Sequence, residues 1–235
     1  MKALTILLTG STGYIGRRLL PVLLEQGHRV ICLVRDKRRF DFEDFTEAHQ
    51  KNLSVYEADL NKPESLHTLP KDIDLAYYLV HSMSTSENFL VLEQKSAETF
   101  VGYINQTTAK QIVYLSGIVN DPSLSKHLSS RKNVEDILGQ SAAKLTVLRA
   151  AIIIGSGSAS FEIIRDLVEK LPVMIAPKWL KSRCQPIGIR NVIEYLIGVI
   201  SKEETYNQSF DIGGPDILTY KEMLMGYARD RKSVV

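Results

Sequence analysis

The sequence predicts an α/β fold, a doubly wound parallel sheet with a small C-terminal substrate-side lobe, and three observations predict it. Short β-type apolar runs alternate with helix-length amphipathic segments as far as Arg149. A glycine-spaced turn, Gly10, Gly13 and Gly16, joins the first apolar run to the first helical segment. Beyond Arg149 the alternation gives way to an irregular, proline-bearing stretch. Such alternation lays parallel strands side by side with helices on both faces.

Taken in order, the apolar runs predict strands over 4–8, 30–34, 53–57, 75–80, 111–115 and 145–149. Between them, Ile15, Leu19, Val22 and Leu23 make one helical stripe, and Phe89, Leu92, Ser96, Phe100 and Tyr103 make another. Gly27 stops the first helix, and Pro21 within it removes one backbone bond and bends the axis slightly. Phe161, Ile164, Val168 and Leu171 mark a later helix, followed by Pro172, Pro177, Trp179 and Pro186. Helices are also expected over 192–201 and 220–229, separated by Phe210, Asp211 and a Gly213, Gly214, Pro215 turn. The whole of 1–235 reads as a single domain, with 155–190 and 213–235 forming the lobe, and the last helix carries no stop signal, so continuation into a further domain is open.

A chain of 235 residues is long enough to bury roughly 70% of its unfolded surface in one core. Its 44% hydrophobic and 24% charged residues suit a globular protein, and a net charge of +2 gives no field that would select nucleic acid. Cys32 sits in an apolar run and Cys184 in an expected loop, which fits neither a disulfide framework nor a metal site. The opening apolar stretch ends at Leu8 and runs into glycines, unlike a signal peptide, and no run approaches the ~20 residues of a spanning helix. A cytoplasmic protein acting on a small molecule, with no nucleic-acid partner, membrane span or metal, is the expectation.

Because Gly10, Gly13 and Gly16 follow a strand and open a helix, backbone amides there can approach a pyrophosphate with no Cβ in the way. The full turn is Thr9, Gly10, Ser11, Thr12, Gly13, Tyr14, Ile15 and Gly16. This TGSTGYIG segment resembles the first turn of the extended and atypical short-chain dehydrogenase/reductases. Further likeness lies in Ala58, Asp59 and Leu60 after the third strand, Val80, His81 and Ser82 after the fourth, and Ser116 and Gly117 after the fifth. Leu148, Arg149, Ala150 and Ala151 resemble the segment passing the nicotinamide, so Ala150, Ala151 and the following Ile152 are expected to contact the cofactor. The likeness extends to the NmrA-like branch and to relatives of the cofactor-binding accessory subunit of respiratory complex I. It implies a Rossmann fold and a bound nicotinamide dinucleotide.

NADP(H) is expected over NAD(H). NAD-binding members place an acidic residue at the end of the second strand, and here that place falls at Val34 with Arg35 next, suited to a 2′-phosphate. Lys37, Arg38 and Arg39 extend the positive patch, although Asp36 is within reach of a ribose as an alternative. Asp59 reads either as an adenine contact or as a turn initiator. The family's reductases use a Tyr-x-x-x-Lys pair, which this chain lacks: His127 and Arg131 stand at the matching places, and the usual serine position falls near Ile118, with Ser116 at the strand end. His127, Arg131 and Ser116 are therefore the catalytic candidates, Arg131 also as a holder of ribose hydroxyls. Trp179 is expected to wall a substrate pocket or simply to pack. Three functions follow: an NADP(H)-dependent oxidoreductase on a small carbonyl, enone or quinone; a non-catalytic dinucleotide-binding redox sensor or assembly factor; and, last, a sugar-nucleotide epimerase or dehydratase.

Overall fold

A computed structural model describes residues 2–81, 89–118, 126–170 and 178–232. Contacts divide the chain into two compact units, 1–149 with 193–210, and 150–192 with 211–235. In chain order the first unit opens with β1 (Thr5–Thr9), α1 (Tyr14–Glu25), β2 (Arg29–Val34), α2 (Glu47–Lys51), β3 (Leu53–Glu57) and β4 (Leu75–Tyr78). It continues with α3 (Phe89–Ile104), β5 (Gln111–Gly117), α4 (Lys126–Leu138) and β6 (Lys144–Ala150). The second unit contributes β7 (Ile153–Ile154), α5 (Ala159–Lys170), β8 (Arg183–Cys184) and β9 (Ile187–Gly188). Then come α6 (Ile189–Gly198), β10 (Gln208–Ile212), β11 (Leu218–Thr219) and α7 (Tyr220–Lys232).

Seven strands form one sheet in the order β10-β6-β5-β4-β1-β2-β3, a doubly wound arrangement whose direction of growth reverses at β1. The pairs β1–β2, β2–β3, β1–β4 and β4–β5 are all parallel. Because helices cover both faces, β2 is apolar on both: Val30, Ile31, Cys32, Leu33 and Val34 are all buried. On one face, Leu7, Ile31, Ala76, Tyr78, Ile112 and Tyr114 pack with Phe100 of α3 and Val134 of α4. On the other, the buried Tyr77 hydroxyl donates to the Leu196 carbonyl at 2.7 Å. Gln111, also buried, donates through Nε2 to the Val199 carbonyl at 2.9 Å and accepts the Ser201 N–H at Oε1 at 2.9 Å. The returning segment thus satisfies polar groups that the sheet buries.

Gly27 ends α1 at φ +79°, where glycine costs nothing sterically, with its N–H on the Leu24 carbonyl and the His28 N–H on that of Leu23. Pro21 lies inside α1. Several expectations need correcting. β4 stops at Tyr78 rather than residue 80, because the Thr9 hydroxyl donates to the Tyr77 carbonyl and accepts the Leu79 N–H, turning the chain out of the ladder. β5 runs on through Ser116 and Gly117. α6 begins three residues earlier than expected, at Ile189, and ends at Gly198. Cys184 is not in a loop but on β8, paired antiparallel with Leu218 of β11. Leu92 does not share the buried stripe of α3: it is 42% exposed, and Glu93 takes the inward position. Leu171, expected to close α5, lies outside the described residues.

The second unit has its own small core, in which Ile152, Ile164, Leu180, Met223 and Leu224 are buried together. A cavity of about 140 Å³ opens in it, walled by apolar side chains of α5 and α7 and by Trp179, whose ring meets Tyr220 edge-on at 5.4 Å. Among the described residues, no helix is long and apolar enough to cross a membrane.

Candidate functional site

The carboxyl edge of the sheet in the first unit carries a cleft of about 530 Å³, within the range of cofactor sites. Its floor is the turn between β1 and α1, whose glycines have separate tasks. Gly10 adopts φ +72°, and a Cβ on it would meet the Leu79 carbonyl oxygen at 2.5 Å. A Cβ on Gly16 would strike the backbone of Gly10 and Ser11. These two let the turn close and the helix lie against it. Gly13 is different: a Cβ there would meet only the Gly10 carbonyl, at 3.1 Å, and otherwise project into open space. Gly13 is also the N-cap of α1, with no side chain capping the helix and no acidic residue in its first turn. The first N–H groups and the positive end of the helix dipole are left for an anion.

Of the positions read from sequence, Gly10, Thr12, Gly13, Arg35, Asp59, Leu60, Val80 and His81 line this cleft. Tyr14, Ile15 and Gly16 form the first turn of α1, with Arg18 stacked on the Tyr14 ring at 4.0 Å. Ser11 is buried beneath the turn beside Cys32, whose thiol burial pushes up to about 12. Ser116 and Gly117 are buried at the end of β5, and a Cβ on Gly117 would press on Leu128 and Arg131 of α4. Arg131 therefore lies over the end of β5 and near the Tyr114 phenol. His127 is on α4, but its side chain lies outside the described residues, as does Ser82. Ala150, Ala151 and Ile152 belong to the second unit, where Ile152 and Trp179 line its cavity.

At the β2 end, Arg35 and Arg39 both face the cleft and are exposed. Asp36 is occupied: both its oxygens accept from the Arg38 guanidinium at 2.9 Å, and Oδ1 also accepts the Arg38 N–H at 3.0 Å. Those bonds hold its carboxyl below the usual range. Asp59 initiates a turn, its Oδ1 accepting the Asn61 N–H at 2.9 Å. Asn61 was not foreseen, yet it lines the cleft and its Oδ1 is buried without a hydrogen-bond partner among the described residues. Tyr114 was missed as well. It reaches the cleft from β5, and burial pushes its phenol up to about 12 against the lowering influence of Arg131 and Ser116.

Glu93 was the largest omission. It is 7% exposed, yet it lines the cleft from α3 and lies 2.9 Å from His81 Nδ1 through Oε1, while Oε2 accepts from the Ser130 hydroxyl of α4. Farther along α4, Glu135 accepts from the Arg149 guanidinium at 2.5 and 3.2 Å, a partly buried ion pair outside the cleft lining. The spacing of Phe89, Glu93, Ser96 and Phe100 was the available signal, since a carboxylate on that stripe must find partners.

Residues 10–166 match a family model described as NAD(P)H-binding. Among curated relatives, the chain is 25% identical over 228 residues to divinyl chlorophyllide a 8-vinyl-reductase of Arabidopsis thaliana, covering 91% of this chain and 54% of that protein. It is 26% identical over 171 residues to ceramide reductase of Caulobacter vibrioides, covering 72% and 52%. It is 23% identical over 215 residues to photosystem II assembly factor Ycf39 of Trieres chinensis, covering 90% and 64%. The chain thus spans about half the length of the first two relatives. An epimerase structure from Methanothermobacter thermautotrophicus superposes with a TM-score of 0.78 at 13% identity, covering 99% of this chain and 78% of that one, which shows the shared fold.

Proposed function

The chain belongs to the NAD(P)H-binding family of Rossmann-type, short-chain dehydrogenase/reductase-like proteins, and on that premise we propose that it is an NADP(H)-dependent reductase of a small carbonyl, enone or quinone. The observation that carries the reading is the cleft itself, with an uncapped helix N-terminus at its floor and two exposed arginines at its β2 end. The N–H groups after Gly13 hold the pyrophosphate. Arg35, with Arg39 beside it, pairs with a 2′-phosphate, and the carboxylate that would prefer an unphosphorylated ribose is tied up by Arg38. Asn61 Oδ1 offers an acceptor suited to the adenine amino group. Arg131, over the end of β5, holds ribose hydroxyls. When bound, the reduced nicotinamide supplies the hydride. Both reductase relatives support this reading of the reaction class.

The test is titration of the purified chain with NADPH and NADH, followed by absorbance with a panel of aldehydes, enones and quinones. Tighter binding of NADPH with saturable oxidation supports the proposal, and equal affinities remove the NADP preference. A second reading, a dinucleotide-binding assembly factor or sensor without turnover, is favoured by the missing Tyr-x-x-x-Lys pair and by the likeness to an assembly factor. Binding without oxidation of any acceptor would select it.

A further inference from the structure

The order of strands decides what stands where along the cleft. Asp59 follows β3, Arg35 follows β2, the glycine turn follows β1, His81 follows β4, and Tyr114 lies on β5. The cationic side chains and the imidazole therefore occupy opposite ends, with the anion-binding turn between them. A dinucleotide with its phosphates at Gly13 and its adenosine toward Arg35 extends its reacting ring toward β4 and β5, where His81 stands.

Resting on the reductase reading above, we propose that His81 is the proton donor of the reaction and that Glu93 is its positioning residue. Glu93 is almost wholly buried, and a carboxylate in that setting is costly unless each oxygen has a partner. Among the described residues it has partners from two separate elements: His81 at the end of β4 and Ser130 on α4. With Oε1 2.9 Å from Nδ1 and Oε2 on Ser130, the carboxylate favours a ring that carries its proton on Nδ1 and leaves Nε2 for substrate. The His81 side chain is 31% exposed, so the ring reaches both the cleft and water. The two tyrosines lining the same region are poor donors, because burial raises both phenols, that of Tyr114 to about 12.

Proton delivery balances as follows. A carbonyl carbon that accepts hydride from NADPH leaves its oxygen needing a proton. The Nε2–H bond of protonated His81 breaks as the O–H bond forms, giving alcohol and NADP⁺. The neutral ring keeps its Nδ1–H on Glu93 and regains the Nε2 proton from solvent. Glu93 donates nothing and accepts throughout.

The test uses the full chain and three variants, His81→Asn, Glu93→Leu and Glu93→Gln, each measured for NADPH affinity, for turnover and by ¹⁵N NMR of the imidazoles. In the wild type the neutral His81 ring is expected in the Nδ1–H tautomer, and Glu93→Leu switches it to Nε2–H. His81→Asn lowers kcat on aldehydes and ketones by about a hundredfold or more with NADPH affinity changed by less than about threefold. Glu93→Leu acts in the same direction, and Glu93→Gln, which still accepts from Nδ1–H, restores most of kcat. Should Glu93→Leu fail to fold, His81→Asn and the wild-type tautomer decide. An Nε2–H tautomer in the wild type, or an unchanged kcat in His81→Asn, overturns the assignment. So does a large loss of NADPH affinity with kcat intact, which makes His81 a cofactor anchor. Wild-type NADPH binding without turnover overturns the donor role and leaves the cofactor reading standing, whereas no binding at all overturns both.

Discussion

The two ends of the cleft are built on opposite principles. At the β2 end the charges are exposed and local: Arg35, Asp36, Arg38 and Arg39 lie within five consecutive residues, and the Asp36–Arg38 pair closes on itself. At the β4 end one buried carboxylate is held by groups 12 and 37 residues away in sequence, from two further elements. The first arrangement costs little to form and little to lose, since solvent screens it. The second exists only when β4, α3 and α4 are packed, so removing one member strands the others in a poorly solvated site. Exposed charge selects what enters; buried charge holds a geometry.

The largest expected effect lies between the two ends. Gly13→Val should weaken NADPH binding by about a hundredfold or more while barely moving the melting temperature, because its side chain would occupy the anion's space and little else. Gly16→Val should do the reverse and lower the melting temperature first, since its Cβ meets backbone. Calorimetric titration beside a thermal melt checks both, and a similar loss of stability in the two variants would break the division of labour among the glycines. Next, Arg35→Ala should cost NADPH about 1–3 kcal/mol and NADH much less, because only NADPH presents a 2′-phosphate. Equal losses would mean that the β2 end does not read that group. A smaller effect is expected for His127→Phe, with kcat within about threefold of wild type, because reduction of an enone or quinone can take its proton from other sources. A hundredfold fall in kcat at unchanged NADPH affinity would move the acid from β4 to α4.

The smallest effect concerns His28, at the end of β2 away from Arg35. Burial lowers its imidazole below the ordinary value, and its Nδ1 accepts the Leu4 N–H at 3.2 Å. The unfolded chain therefore binds the proton more readily than the folded one. Its contribution is fully present above the unfolded value of about 6.5 and is lost progressively as pH falls below it. Urea midpoints at pH 7.5 and 5.5 should differ less in His28→Gln than in the wild type, and cofactor should leave that difference unchanged.

What the sequence made legible follows the same division. The glycine turn, Arg35 and Asp59 are contiguous signals at strand ends, where the motif and the element boundary coincide. Asp36 was ambiguous on paper because a loop charge has several partners in reach, and its pairing with Arg38 depends on the short turn that brings residues two apart together. Glu93 escaped because two stripes on α3 are compatible with the pattern. At about 100° per residue, Glu93 falls roughly 20° from Phe100 and Leu92 roughly 80° from it. Hydrophobicity alone prefers Leu92, and the fold chose the geometric centre, with Glu93 stabilised by partners no local window contains. The end of β4 was misjudged for a related reason: Leu79 and Val80 are apolar enough for a strand, but the Thr9 hydroxyl competes for the backbone there.

The return of the chain to the first unit after residue 192 has a consequence during synthesis. The Tyr77 hydroxyl finds its buried partner on Leu196, and Gln111, already bonded to Thr146 of β6, completes its hydrogen bonds on Val199 and Ser201. A ribosome that has just released Arg149 must still produce all of 150–192 before those partners emerge, which takes a few seconds at about 5–20 residues per second. Throughout that interval the nascent sheet holds a face whose phenol lacks the Leu196 carbonyl and whose Gln111 amide has Thr146 but neither Val199 nor Ser201, with its apolar neighbours open to water. Closure of that face during synthesis thus waits for the segment that follows residue 192.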